Sequence, residues 1–152
     1  MQIPFLSWLL QGIPESIAIA TMVLVLSKVP VSRKVIMIGF LQAVTAYLVR
    51  LLPLTPGVHI IIMTFSLAFF TSQMADIPFH KTILYSCITI VFLIVWEITF
   101  FALFKYSNLV SLDQIKNNPL LRVLTGLPQV IVLFLTSWFL HKKVNFGIYT
   151  KS

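Results

Sequence analysis

Five stretches of this chain are apolar over about the length that an α-helix needs to cross a membrane, which is about 20 residues for a hydrocarbon core about 30 Å thick. With 59% hydrophobic and only 10% charged residues, the composition differs from that of a soluble domain. We therefore predict an all-α, polytopic integral membrane protein in which residues 1–152 form one domain of five transmembrane helices. The predicted spans are residues 4–27, 33–52, 57–75, 82–104 and 119–140.

The breaks between the spans are mostly short. Residues 28–34 hold three cations and a proline, residues 53–57 form an uncharged turn with two prolines, and residues 76–81 combine charge with a proline. Residues 105–118 are longer, and their last part, 111–118, has the composition of a short amphipathic lid. Short connections predict antiparallel neighbouring helices. A cleaved signal peptide is an alternative for the first stretch, but it lacks a basic n-region and a small-residue cleavage site, so we predict a retained helix.

The lysine and arginine residues predict the orientation, because short loops rich in these residues stay in the cytoplasm. Seven of the eleven follow helices one, three and five, and four lie on the opposite side. This distribution predicts a multi-pass cell-membrane protein with its N-terminus outside and its C-terminus in the cytoplasm. The seven are Lys28, Arg33, Lys34, Lys81, Lys142, Lys143 and Lys151, and the four are Arg50, Lys105, Lys116 and Arg122.

The net charge of +7 is explained by this sorting and by anionic cytoplasmic lipid, so we expect the lipid bilayer and no nucleic acid as a partner. The sequence contains no Cys/His cluster, no phosphate-binding glycine loop, no Gly-x-Ser-x-Gly elbow and no His-Glu-x-x-His motif. We therefore predict no metal, no cofactor and no enzymatic activity. Cys87 is the single cysteine, which excludes an intrachain disulfide and indicates a packed thiol.

Four ionisable residues, Glu15, Arg50, His59 and Glu97, lie inside or at the ends of four different apolar stretches. Counting helical rise from the cytoplasmic end of each helix places all four at roughly 20 to 26 Å, in the outer half of the membrane. A charged residue at a helix centre costs about 2.5 to 3.5 kcal/mol on insertion scales, so such residues face the bundle interior and pair. Arg50 is the natural partner of Glu15 or Glu97, and charge alone does not choose between them.

Each of these residues also has a structural interpretation. Arg50 could extend to the outer headgroups, and His59, beside the Pro56-Gly57 turn, could be interfacial. Glu97 is harder to explain in this way, because aromatic residues flank it in a segment otherwise free of charge. We predict that these residues, together with Gln129, form a ligand site.

A short repeat marks the first and the fifth helix. Gly12-Ile13-Pro14-Glu15 and Gly126-Leu127-Pro128-Gln129 share the order glycine, aliphatic, proline, and acid or amide. Glycine followed by proline in a helix's first turn is a helix-start pattern, and within a membrane it predicts a helix broken there, with free N–H groups facing a cavity. Glu15 and Gln129 would then accept from those groups. Alternatively, the motifs are kinks that serve packing.

Four segments resemble the membrane input region of sensor histidine kinases of Gram-positive bacteria, including the peptide-sensing Agr type. They are Leu10-Gln11-Gly12-Ile13-Pro14-Glu15-Ser16-Ile17, Tyr47-Leu48-Val49-Arg50-Leu51-Leu52-Pro53, Gly57-Val58-His59 and Gly126-Leu127-Pro128-Gln129. The resemblance implies that Glu15, Arg50, His59 and Gln129 line the input site. No phosphoacceptor helix or ATP-binding domain follows Ser152, so the resemblance implies a sensor module without catalysis of its own.

Three functions remain open from the sequence. The leading hypothesis is a sensor module that binds an external or lipid-phase ligand in an outer polar cavity and signals through residues 142–152 to a cytoplasmic or membrane partner such as a kinase. The second is a small transporter or channel subunit, in which Glu15 or Glu97 exchanges protons. A five-helix transporter would be expected to work as a homo-oligomer or in a larger complex. A membrane enzyme is the third.

Overall fold

The structure is a computed structural model that describes the backbone of residues 8–107 and 119–149, and the side chains within these ranges except those of residues 8, 56, 119–123, 125 and 144–149. The described elements are all helical, as expected. A π-helical turn at Trp8–Gly12 precedes α1, and the helices are α1 (Ile13–Leu26), α2 (Lys34–Leu51), α3 (Pro56–Ala75), α4 (Phe79–Tyr106) and α5 (Pro119–Tyr149). The lid predicted at 111–118 lies outside the described residues.

The connections between helices follow local chemistry. Pro56 starts α3 after an extended Thr55, as suits a residue whose φ is fixed and whose missing N–H would have no partner in the first turn. Lys28 and Asp76 end α1 and α3 in the left-handed conformation, with φ of 58° and 54°. The N–H of Val29 then donates to the carbonyl of Leu24 over 3.1 Å, which closes the end of α1.

Four of the described helices are long and apolar enough to cross a membrane: α1 with its preceding turn, α2, α3 and α4. The outward faces of these helices are apolar. Ile36, Leu84 and Ile98, for example, each expose more than half of their surface, at 61%, 57% and 63%. Water-exposed helices carry polar residues on that face, so this surface suggests association with a membrane.

Helix α1 is the centre of the bundle, because it packs against each of the other four helices. The outer helices also pack in chain order, α2 on α3, α3 on α4 and α4 on α5. Between α2 and α5 the described residues make no extensive contact, so the four helices form an arc around α1 and not a closed ring. The buried residues of α1 cover nearly all sides of its inner half: Ser16, Ala18, Ile19, Ala20, Met22, Val23, Leu24 and Val25.

Two contacts fix α2 in place. A Cβ added to Gly39 would lie 2.8 Å from the Cα of Ile17, so the backbones of α1 and α2 approach closely there. On the other side of α2, the fully buried Gln42 donates from Nε2 to the carbonyl of Met63 over 3.0 Å. The hydroxyl of Ser66 donates to Oε1 of the same amide, also over 3.0 Å. Gln42 therefore joins α2 to α3 through both ends of its side chain.

The predicted helix breaks differ from the structure. Helix α5 runs without interruption through Gly126 and Pro128, so the break predicted there is not found. At Pro14 the chain stays helical but widens to a π-helical turn just before α1. Proline removes one backbone hydrogen bond and its ring crowds the carbonyl four residues earlier, and a local widening of the helix relieves that clash. Helix α5 accommodates Pro128 without any described change in helix type.

Candidate ligand site at the start of the central helix

Glu15 lies in the first turn of the central helix and is half-buried. The charges of Arg50 on α2 and Glu97 on α4 both act on its carboxyl group. The charge of Arg50 also acts on the half-buried imidazole of His59 on α3. The structure thus links the four ionisable residues, which lie on four different helices, by electrostatic interactions. Glu15 interacts with Arg50 and Glu97, and Arg50 also interacts with His59.

These groups interact without direct contact. Among the described residues no ion pair joins Arg50 to either carboxylate, and the side chains of Arg50 and Glu97 are exposed. Arg50 acts electrostatically on Glu15, which is thus within its reach. Carboxylates held apart from their counter-ion keep free acceptor sites. Such an arrangement can receive a further polar group.

Depth within the bundle separates the four residues more than the sequence count predicted. Helical rise places the Cα of Glu15 about 3 Å and that of Arg50 about 16 Å outward of the contact between Ile17 and Gly39. The sequence count assumed that the cytoplasmic ends of the helices are level. They are not, because α1 continues nine residues past this contact, whereas α2 begins five residues before it. Glu15 is therefore the deep residue of the site, and Arg50 lies at its mouth.

The parallel packing of α1 and α5 brings the two proline motifs side by side. A side chain at Gly126 would overlap the amide of Gln11. Nearer the C-terminal ends of both helices, the hydroxyl of Ser137 donates to the sulfur of Met22 over 3.4 Å. Both contacts join residues 115 positions apart, so α1 and α5 keep one register along their length. Gln129 is buried on α5, only 5% exposed, about level with Pro14 in this register.

Other members of the two motifs serve packing. Gly12 and Gly126 are buried, and Pro14 and Pro128 are half-buried. The missing Cβ at Gly126 provides the space that the side chain of Gln11 fills. Gly126 therefore acts here by allowing close approach of α5 to the turn before α1.

An aromatic ladder on α4 was not identified as part of the site from the sequence. The rings of Phe92 and Trp96 meet edge to face with centroids 6.1 Å apart, and Trp96 and Phe100 lie 5.6 Å apart with ring planes 30° from parallel. All three side chains are half-buried. Their spacing of four residues, which puts them on one face of a helix, was the available signal. The ladder adjoins Glu97, the residue after Trp96.

The ladder continues the inward face of α4. In the N-terminal half of α4 this face is buried, at Ser86, Thr89 and Leu93, and it becomes half-buried from Trp96 onward. Helices that stayed tightly packed would bury these large rings completely. The bundle is therefore less closely packed around the ladder than around the N-terminal half of α4.

Two buried hydroxyl groups in the inner half lack a partner. The oxygens of Thr71 on α3 and Ser86 on α4 are inaccessible to solvent and make no described hydrogen bond. Thr89 on α4 shows the usual alternative, since its hydroxyl donates to the carbonyl of Tyr85 over 2.8 Å. The sequence offered no signal for this difference, because all three residues are short and polar within apolar helices.

No family model matches this chain, and neither does any curated protein or solved structure. What the site can do therefore follows from its own chemistry. Within the described part of the chain, no group of three His, Cys, Asp or Glu residues is placed to hold a metal ion. The arrangement offers separated charges and an aromatic surface, which are features of a site that binds and orients a ligand.

Proposed function

We propose that this protein is a membrane-embedded sensor module that binds an external or lipid-phase ligand at the outer site and signals to a cytoplasmic partner. The observation that carries the proposal is the position of Glu15. It lies on the one described helix that packs against all the others, and it is the deep residue of the site. A ligand that contacts Glu15 therefore acts on the helix against which every other described helix packs.

The proposal includes five transmembrane helices with the N-terminus outside. Support comes from the cations at the inner end of the bundle, where Lys28, Lys34 and Lys81 are exposed. On α5, the ammonium groups of Lys142 and Lys143 lie 5.6 Å from the ring centres of the aromatic residues one turn earlier, Trp138 and Phe139. Aromatic rings next to lysine are typical of a membrane–water interface, and lysine excess is typical of the cytoplasmic one.

Helix α5 offers a route to the partner. It continues to Tyr149, beyond residue 140 where the sequence analysis ended the span. The additional nine residues correspond to about 13 Å of helix. Because α5 keeps one register with α1, a shift of α1 on ligand binding would displace this extension. Binding signals only if the ligand has a higher affinity for one helix arrangement than for the other.

The partner proposed here is a kinase, as the resemblance to Agr-type input regions implies. A transporter or channel subunit is the alternative, in which Glu15 would carry a proton across the outer half. These two functions differ in a measurable way, because a sensor changes the conformation of its cytoplasmic end without net flux.

The test begins with the purified full chain in detergent, screened by thermal shift against peptides, lipids, quinones, amino acids and ions. A ligand that binds only the folded state stabilises it by about 2.7 kcal/mol at a hundredfold excess over Kd. The variants are Glu15→Gln and, as a matched control, Asp76→Asn, which removes an exposed acid at the opposite end of the bundle.

A stabilising ligand that is lost in Glu15→Gln and kept in Asp76→Asn is then tested for signalling. A fluorophore on Lys143→Cys, in a Cys87→Ser background, should respond to that ligand, and proteoliposomes should show no ligand uptake. Uptake driven by a proton gradient and lost in Glu15→Gln would instead establish the transporter. If no ligand stabilises the wild type and Glu15→Gln lowers its melting temperature, Glu15 is structural and the sensor proposal fails.

A further inference from the structure

The charges that act on Glu15 and the aromatic ladder of α4 define the chemistry of a ligand. We infer that the outer site recognises an organic cation, namely an ammonium group on an apolar body. This inference rests on the proposed function, because it names the ligand class of the same site.

The first support is the charge balance. Glu15 and Glu97 supply two carboxylates against the single guanidinium of Arg50, and the two carboxylates act on each other. An incoming ammonium group relieves this repulsion, whereas an incoming carboxylate adds to it. The site is therefore complementary to a cation.

The second support is depth. Glu15 lies about 13 Å inward of Arg50 along the helices, and it is half-buried where Arg50 is exposed. Solvent screens the exposed guanidinium at the mouth more than the partly buried carboxylate. A ligand that enters from the side of Arg50 therefore meets the less screened carboxyl group at the inner end of the site.

The third support is the aromatic ladder of α4, whose central residue, Trp96, directly precedes Glu97. Aromatic faces attract ammonium groups through the ring quadrupole and also cover apolar surface. Trp96 is the best of the natural ring types for this purpose, and Phe92 and Phe100 extend its surface in both directions. Aromatic rings that face away from the bundle are explained by packing against lipid alone. These three rings instead continue the inward face of α4.

Trp96 itself reports on the site. The chain has three tryptophans, so Trp8→Phe/Trp138→Phe leaves Trp96 as the single emitter. The probe is 2-phenylethylammonium, and the controls are 2-phenylethanol and 3-phenylpropanoate, which have similar bodies with no charge and a negative charge. We expect saturable quenching by the ammonium compound. We expect at least tenfold weaker binding in Glu15→Gln, since hydrogen bonds to charged groups contribute about 1.5 to 3 kcal/mol, and unchanged binding in Asp76→Asn.

Two kinds of ligand carry an ammonium group on an apolar body, namely a peptide with a free amino terminus and a small amine. A short apolar peptide with a free amino terminus, compared with its acetylated form, distinguishes the two. Response to the free peptide alone assigns the site to a peptide ammonium, and response to phenylethylammonium alone assigns it to a small amine. Either result supports the inference. Thermal shift of the wild-type chain with the same probes provides a second readout in case the tryptophan variants do not fold.

Other outcomes overturn the inference. Equal quenching by the alcohol, no effect of Glu15→Gln, or no saturable response to any ammonium probe would exclude the organic cation. If the anion binds saturably and Glu15→Gln strengthens that binding, the ligand class is wrong while the outer site and the proposed function survive. If a different ligand from the screen signals to the cytoplasmic end, the proposed function again stands without this inference.

Discussion

A Cβ at Gly39 would lie 2.7 Å from Cγ1 and 2.8 Å from Cα of Ile17, so α1 and α2 meet where neither has room for another atom. We predict that Gly39→Ala destabilises the folded protein by about 1 to 3 kcal/mol, because the backbone of α1 must move to admit the methyl group. Gly57→Ala is the matched control, since nothing lies within 4 Å of a Cβ there. The measurement is thermal unfolding in detergent, and equal melting temperatures for the two variants would contradict the tight crossing.

Gly126→Ala should be tolerated better than Gly39→Ala. A Cβ at 126 meets the side-chain amide of Gln11, which is flexible, whereas a Cβ at 39 meets backbone. We expect a loss below about 1 kcal/mol, restored when Gln11→Ala makes room. A double-mutant cycle in detergent measures this coupling. Additive effects of the two substitutions would show that Gln11 and Gly126 are not in contact.

Gln42→Leu should weaken the α2–α3 contact. The substitution removes two interhelical hydrogen bonds, to Met63 and from Ser66, and such bonds average about 0.6 kcal/mol each in a membrane protein. A loss of about 1 kcal/mol is therefore expected. Thr45→Val is the control, because that hydroxyl bonds only to Leu41 within its own helix. The prediction fails if both variants melt at the wild-type temperature.

Thr71→Val should stabilise the protein. The buried hydroxyl of Thr71 has no described partner, and a buried polar group without one costs about 1 to 3 kcal/mol. Valine keeps the shape and removes that cost, so we expect a gain of about 1 kcal/mol. Thr89→Val, which loses a hydrogen bond to Tyr85, should give no gain. Destabilisation by Thr71→Val would reveal a partner such as a bound water molecule.

The proposed orientation predicts a labelling pattern. In a Cys87→Ser background, Thr55→Cys should react with a membrane-impermeant maleimide in intact cells, because the connection between α2 and α3 is exposed and outside. Ser32→Cys, exposed between α1 and α2, should react only after permeabilisation. The reverse labelling pattern would show that the orientation is opposite to the proposed one and that the Glu15 site faces the cytoplasm.

The sequence predicted the helices well. Hydrophobic length is a local property, so α2, predicted at 33–52, appears at Lys34–Leu51, and α3, predicted at 57–75, appears at Pro56–Ala75. Helix α5 continues past residue 140, where the predicted span ends, because composition marks where apolar residues stop and not where the backbone ceases to be helical. The sequence also predicted a break at Pro128 that the structure does not have, because a helix can lose one hydrogen bond and continue.

The site was only partly predictable. Isolated charges in apolar segments are conspicuous, so the sequence alone singles out Glu15, Arg50, His59 and Glu97 as candidates. Their relative depths were not, because depth depends on the contact between Ile17 and Gly39, which no local pattern fixes. The inward position of the aromatic ladder and of Gln42 likewise depends on which neighbours surround each helix, and this is a property of the assembled bundle.

The arc around α1 has a consequence for how the protein is made. Synthesis produces the central helix before α5, yet α5 supplies the neighbours of Met22 on α1 and of Gln11 in the turn before it. Until α5 joins the bundle, that side of α1 lacks these neighbours. A ribosome that stalled before α5 would leave an unfinished product, with one flank of the Glu15 helix open to quality-control proteases.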